Sequence, residues 1–382
     1  MGRKQLLMIP GPTMVPQSIL LAGASPMVNH RGPEFKAALD ECTAGLKRVF
    51  QTEGEVYILT ASGTGGLEAA AVNMLSPGDR VLSVSIGVFG DRFASIAQTY
   101  GAKVEKLDFP MGTAADPDKI RKRLADDAEK DIKAVLVTHN ETSTGVMNDL
   151  ARIGPIVRNH GALLLVDGIS SLIAMDCRMD AWSLDLVVAG AQKAFMIPPG
   201  LCFVAVNDRA LAAMKQAKIP RFYFDLARAK SYLDQGQTPW TPAVPQVFQL
   251  REGLRLIEKE GFQSCFARHA KFAKATREGV KALGLTLLAD ESCASNAVTS
   301  VRNPEGMEGA ALRKLMREKY GVVLAGGQGG LKDAIFRIGH LGYVSESDII
   351  ATLALLGLGL KDLGLKVDPA AGASAAIRVL GG

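Results

Sequence analysis

The sequence predicts an α/β protein: a large, mostly parallel sheet covered by helices, followed by a smaller α/β unit. Two observations carry this. Short apolar runs alternate with helical patterns over the first two-thirds of the chain, which is the mark of βα repetition. Several of those runs are apolar at both parities, as strands buried on both faces require. The strand candidates are residues 56–59, 80–85, 103–109, 133–138, 162–166, 184–189 and 201–206. Between them, residues 34–50 place Phe35, Leu39, Cys42, Leu46 and Val49 at helical spacing. Residues 65–75, 91–100, 117–125 and 148–160 fill further gaps as helices. After about residue 245 the pattern changes. Helices are expected at 247–260, 263–283, 307–320 and 346–363, with strands at 297–301 and 335–338. A Pro/Thr/Gln-rich stretch, 235–246, divides the two regions, and the Ala/Gly-rich tail 370–382 reads as poorly ordered at its end.

Composition narrows the function. The chain has 382 residues, 48% hydrophobic and 22% charged, which is globular usage for about two domains. Glycine is in excess, 40 residues or about one in ten, against a usual level of about 7%. No G-X-Y period accompanies it, so these glycines serve turns, caps and close backbone approaches. Lys+Arg is 44 and Asp+Glu is 39, a net charge of +5. The one basic run, Lys119-Ile-Arg-Lys-Arg123, suits a solvated helix face better than a nucleic-acid surface. The five cysteines form no C-x-x-C pair and the histidines no ligand spacing, so neither a disulfide framework nor a zinc site is expected. Cys202, in an apolar run, reads as a buried thiol. The N-terminal apolar run is too short for a signal sequence, and Leu6 disfavours myristoylation at Gly2. No stretch is apolar and long enough to span a membrane. The expectation is a cytoplasmic protein without nucleic-acid or membrane partners.

No P-loop, N-terminal G-x-G-x-x-G or G-x-S-x-G elbow is present. Three other features each lie where a strand ends. Thr60-Ala-Ser-Gly-Thr-Gly-Gly66 follows the first strand and opens a helix, a place where backbone N–H groups and hydroxyls form an anion site. Asp167 follows four apolar strand residues, where a carboxylate is costly to bury unpaired. Lys193 ends another apolar strand, and in a dry pocket its amine becomes a nucleophile toward carbonyls. Singly, the first also suits a plain turn, the second a helix cap and the third a snorkelling lysine. Together they provide what pyridoxal phosphate requires: a phosphate cradle, a carboxylate for the ring nitrogen and a Schiff-base lysine.

With these features in place, the chain resembles the class V aminotransferases of the fold type I pyridoxal-phosphate architecture, and most of all the alanine/serine–glyoxylate branch. The resemblance covers about residues 6–365. It rests on Met8-Ile-Pro-Gly-Pro-Thr13, Ser62-Gly-Thr64, Gly87-Val-Phe-Gly90, Thr138-His-Asn-Glu-Thr-Ser-Thr-Gly145, Val166-Asp167, Gly190-Ala-Gln-Lys193, Pro198-Pro-Gly200, Thr238-Pro-Trp-Thr-Pro242 and Phe336-Arg-Ile-Gly339. It implies an aspartate-aminotransferase-like fold with an N-terminal segment (1–20) that contributes to the active site, a large cofactor domain (21–260) and a small C-terminal domain (261–382). It implies pyridoxal 5'-phosphate as cofactor and Lys193 as Schiff-base lysine and proton shuttle. Asp167 would pair with the pyridinium nitrogen. Ser62, Gly63, Thr64 and Gln192 would hold the phosphate, with Thr241 reaching the phosphate of a neighbouring subunit in a homodimer with shared sites. Phe89 would stack on the ring and Thr142 would bond its ring oxygen. Arg337 would clamp the substrate carboxylate, a bidentate task suited to guanidinium, and Gly11 would line the substrate pocket.

The chain departs from relatives in places. Phe89 stands where many have Trp, Thr64 where some have His, and Thr238 where some have Tyr. Gln192 before the lysine, and no cysteine in Ala325-Gly-Gly-Gln-Gly-Gly330, disfavour a cysteine desulfurase. Phosphoserine aminotransferases share Gly-Ala-Gln-Lys, but the remaining motifs follow the glyoxylate branch better. The expected reaction is ping-pong transfer of an amino group from alanine or serine to glyoxylate or a similar 2-oxo acid. The alternatives are another amine donor (ureidoglycine, aminoethylphosphonate), a lyase, or a non-catalytic partner subunit. The run 326–330 reads only as a flexible loop.

Overall fold

The computed structural model describes residues 5–382. Gly2 and the start of the 1–20 segment lie outside the described residues. Strand β1 (Leu6–Met8) opens the described chain, followed by β2 (Glu55–Leu59), β3 (Arg80–Ser85), β4 (Lys103–Asp108) and β5 (Ile132–Thr138). A short hairpin, β6 (Asn140–Glu141) with β7 (Val146–Met147), precedes β8 (Leu163–Asp167), β9 (Leu186–Gly190) and β10 (Cys202–Val206). The last strands are β11 (Val298–Arg302), β12 (Val322–Gly326) and β13 (Ile335–Gly339).

The large sheet has the order β2-β10-β9-β8-β5-β3-β4. Its pairs from β9 to β4 are parallel, and β10 runs antiparallel to both β2 and β9. The expected mostly parallel sheet is therefore present, and its central strands are buried along their whole length. Apolar clusters fill both faces, one under helix Pro33–Phe50 and one under helix Gly63–Met74. Phe35, Leu39, Cys42, Leu46 and Val49 all point into the first, as their spacing predicts, and Cys202 is fully buried. After β3 the chain goes outward to β4 and returns on the other side of β3 as β5. Such a reversal opens a crevice at the carboxyl ends of the strands. There the register sets Thr138 beside Asp167, and Asp167 beside Val188.

The second sheet has the order β1-β12-β13-β11. β1 pairs in parallel with β12, so the start of the described chain is built into the sheet that the end of the chain forms. Neither β1 nor β12 was marked by sequence pattern: β1 is only three residues long, and its partner lies more than 300 residues away. Helices Gln17–Gly23, Asp208–Met214 and Leu226–Leu233 were also unmarked, and the expected helix 307–320 is an α-helix, Gly309–Leu315, that continues as a π-turn to Tyr320.

Two expectations are corrected. The run 326–330 is not a free loop: Gly326 ends β12, and Gly329–Leu331 forms a 3₁₀ turn. The tail is not poorly ordered either. Ala371–Gly381 is a helix that packs on helices Phe262–Ala282 and Glu346–Asp362. Its small residues are what allow this. A Cβ on Gly372 would lie 2.9 Å from Leu283, and one on Gly279 2.9 Å from the Gly372 carbonyl, so the two helices approach nearly backbone to backbone. Ala376 is fully buried there. Ala376→Asp should therefore cost about 3 kcal/mol of unfolding free energy, the scale for an uncompensated buried charge. Chemical denaturation checks this, and a wild-type midpoint would place the tail in solvent.

Candidate active site

The site forms at the carboxyl ends of β2, β3, β5, β8 and β9. Beyond β2, Ser62 caps helix Gly63–Met74 with extended backbone, and its hydroxyl makes no cap bond of its own. The helix sits close on the sheet because Gly66 has no side chain: a Cβ there would lie 2.5 Å from Val188. Gly63 likewise makes room for Ile169, 2.6 Å from where its Cβ would be. The first amides of this helix thus face the crevice, a favourable place for an anion.

Asp167 ends β8 and is almost wholly buried. Its Oδ1 accepts a 3.0 Å hydrogen bond from the Ile169 N–H. Burial pushes its carboxyl up to about 7; the Ile169 bond and the nearby Lys193 and Arg92 pull it down, while Glu141 pushes it further up. Lys193 follows β9, and burial lowers its amine to about 8 against the opposing pull of Asp167. Its Nζ donates to the Pro10 carbonyl at 2.5 Å. Gly11 allows this contact, since a Cβ there would lie 2.7 Å from Lys193 Nζ, and its φ of +131° is a conformation that suits glycine. Thr13 fixes the same segment through its N–H to the Gln192 carbonyl and its hydroxyl to the Lys193 carbonyl.

Ser62, Gly63, Thr64, Phe89, Thr142, Asp167, Gln192 and Lys193 line one cavity. Gly11 borders it through Lys193. Arg337, on β13, is buried and reaches the rim: its Nη1 donates to the Thr142 carbonyl and its Nε to the Gly326 carbonyl, both at 2.8 Å. Burial lowers Arg337 to about 10, so it stays charged. Thr241 is exposed and lies outside this cavity. Its segment is tied to the site through the Ala243 N–H, which donates to Thr60 Oγ1 at 3.2 Å.

Sequence reasoning passed over several residues here. Arg92 also lines the cavity, with its guanidinium carbon 4.8 Å from the Phe89 ring centre. Its position one helical turn after Phe89 was the available signal. Asn140 and Ser170 line it too, bonded to each other at 2.9 Å. Asn140 sits inside a motif quoted above but drew no role. Pro10 was missed because a carbonyl has no side-chain signature. Two buried amide oxygens in the cavity, Asn140 Oδ1 and Gln192 Oε1, have no hydrogen-bond partner among the described residues. Unsatisfied buried polar atoms beside a helix N-terminus, a carboxylate and an amine describe a site shaped for a polar, anionic ligand.

The family model described as Aminotransferase class-V matches residues 12–344. Among curated relatives, the soluble hydrogenase 42 kDa subunit of Anabaena cylindrica is 46% identical over 99% of each chain. The serine–glyoxylate aminotransferase of Methylorubrum extorquens is 35% identical over 98% of this chain and 95% of its own. Among solved structures, the ureidoglycine–glyoxylate aminotransferase of Bacillus subtilis superposes with a TM-score of 0.94 at 30% identity, over 100% of this chain and 99% of its own.

The lowered amine gives a direct test. In the ligand-free protein, acylation of Lys193 followed by peptide mass spectrometry should reach half its limiting rate near pH 8, because only the free amine reacts. A midpoint near the ordinary lysine value of 10.5 would contradict the burial argument.

Proposed function

The chain belongs to the class-V aminotransferase family, and from that membership we propose that it moves an amino group from alanine or serine to glyoxylate or a similar small 2-oxo acid. Its cofactor is pyridoxal 5'-phosphate. The residues present fit that group: hydroxyls and helix amides for a phosphate, a buried carboxylate for a ring nitrogen, a neutralisable amine, and two amide oxygens along the wall without a partner among the described residues. When bound, the cofactor supplies an electron-accepting ring that spreads the charge left when the donor's Cα loses its proton.

The single observation that carries the proposal is the pairing of Asp167 and Lys193, buried in one cavity with their pKa values drawn toward neutrality. Such convergence suits acid–base work near pH 7. Ser62, Gly63, Thr64 and Gln192 would hold the phosphate, Phe89 would cover one face of the ring, and Thr142 would meet its ring oxygen. Asp167 would hold a proton on the ring nitrogen. Lys193 Nζ would take the proton from the donor's Cα and return one to the Cα of the amino acid formed in the second half-reaction. Arg337, already fixed by two carbonyls, would orient the carboxylate of donor and acceptor in turn, and Gly11 would leave room for a small substrate.

Glyoxylate as acceptor draws support from the Methylorubrum and Bacillus relatives. Serine as donor draws support from the Methylorubrum relative, and the name of the Bacillus relative makes ureidoglycine the alternative donor. We place the working unit as a homodimer. Leu21, Met27 and Phe222 are 62%, 69% and 66% exposed, apolar side chains that a partner subunit could cover. Thr241 is exposed and does not line the cavity of its own chain, as a residue serving a neighbour would be. A second reading, a subunit without catalysis of its own, rests on the name of the Anabaena relative.

The deciding experiment is product analysis on the purified chain alone, with a panel of amino donors against glyoxylate and pyruvate. Glycine from glyoxylate with alanine or serine is the expected result. No product with any donor would favour the subunit reading, and ammonia release would favour a lyase. Lys193→Ala should remove the Lys193-dependent band from the cofactor's visible spectrum, leaving that of the free aldehyde, and slow turnover by at least about 10²–10⁴-fold, the share of proton transfer alone. Arg337→Ala should raise KM for donor and acceptor about 10- to 100-fold, the range that ~1.5–3 kcal/mol for hydrogen bonds to a charged group gives. Cofactor affinity should stay near wild type; an equal loss of both would remove Arg337 from the substrate's carboxylate.

A further inference from the structure

One buried charge beside the cavity has no part in the reaction as proposed. Glu141, in β6, has no exposed surface. Its Oε2 accepts from the Phe89 and Gly90 N–H groups at 3.0 and 3.1 Å. Its Oε1 accepts from the Ser143 N–H at 3.0 Å and the Ser143 hydroxyl at 2.6 Å. The Ser143 hydroxyl in turn accepts from the Val88 N–H at 3.0 Å. The first turn of helix Val88–Thr99 is therefore bound to the loop after β5 by one carboxylate and one hydroxyl. The next residue in that loop, Thr142, gives the carbonyl that holds Arg337. Gly87 makes the approach possible: a Cβ there would lie 2.6 and 2.7 Å from Glu141 Cγ and Cδ.

We infer that Glu141 is a positioning residue that couples the cofactor's ring face to the substrate clamp, holding Phe89 through its helix and Arg337 through Thr142. This rests on the roles proposed above for Phe89 and Arg337. The chemistry of the site requires a carboxylate. All four of its contacts are donors, and a carboxylate is acceptor-only. An amide in the same space would turn an NH₂ group against two N–H donors on one side. The helix or the loop must then shift, and either movement reaches one of the two functional side chains. Burial lowers the Arg337 pKa, and the nearby Glu141 carboxylate opposes that by attracting the protonated guanidinium.

Glu141→Gln tests this in the full-length protein with two readouts that need no turnover. One is the dissociation constant of pyridoxal phosphate from the stripped protein. The other is the dissociation constant of propionate, a non-reacting carboxylate, read from the visible spectrum of the holoenzyme. Both should rise about tenfold. If either stays within twofold of wild type, the coupling is wrong, even where the unfolding temperature falls, because a merely structural loss moves stability and leaves both constants. Gly87→Ala displaces the same carboxylate with its charge intact and should raise both constants about threefold, so it carries the test if Glu141→Gln does not fold. Should the wild-type chain form no glycine from glyoxylate, the proposed function fails, and these two binding constants still decide the role of Glu141.

Discussion

Two opposite charges withdrawn from water at the ends of neighbouring strands govern this molecule. Asp167 ends β8 and Lys193 follows β9, so the parallel sheet itself delivers both to one crevice. Burial is expensive for each, and the protein meets that expense by drawing both toward their neutral forms. The attraction between them opposes the shift without cancelling it. An amine lowered to about 8 is partly free near neutral pH, and a carboxyl raised to about 7 is poised to share a proton. Reactivity here follows from dehydration of ordinary groups, and it persists only while the walls stay dry.

Those walls come from both sheets. The N-terminal segment leaves β1 in the second sheet, passes over Gly339, and sets the Pro10 carbonyl on Lys193. A side chain at Gly339 would collide with Ile9 and Pro10, so that crossing depends on a bare backbone. Thr13 then fastens the segment to the lysine's own loop. From the opposite direction, β13 brings Arg337 to Thr142 of the large sheet's loop while β12 supplies the Gly326 carbonyl. Arg337 and Lys193 are thus held by contacts that bridge the two sheets. Their spacing is set by sheet-to-sheet packing, and no single loop determines it.

How far the sequence discloses this depends on where the partners lie. The central strands were legible because each is apolar on both faces, and at β8 and just past β9 the apolar run gives way to a conspicuous charged residue. Asp167, Lys193 and the Ser62–Thr64 turn stood out for that reason, and they share a cavity. β1 and β12 were not legible, since three residues gain strand character only from a partner across the chain. The tail misled because Ala and Gly signal disorder by composition, while at Gly279 and Gly372 they signal helices in close contact. Arg92 and Glu141 were passed over for a related reason. Their meaning lies in what they touch, Phe89 in one case and the amides of its helix in the other.

The glycine excess belongs to the same account. At Gly11, Gly63, Gly66, Gly87 and Gly339, the place a Cβ would take is already held by another residue, respectively Lys193, Ile169, Val188, Glu141 and Ile9. Each contact joins an element that carries a proposed functional group to one that restrains it. Gly11 admits the lysine, Gly66 seats helix Gly63–Met74 on the sheet, and Gly87 admits the carboxylate that anchors the helix of Phe89. A site assembled at several strand ends needs backbones closer than side chains permit, because loops must converge on an object only one ring wide. Glycine is the residue that permits such convergence. Its abundance therefore reflects less the flexibility of loops than the number of places where rigid elements are packed without a side chain between them.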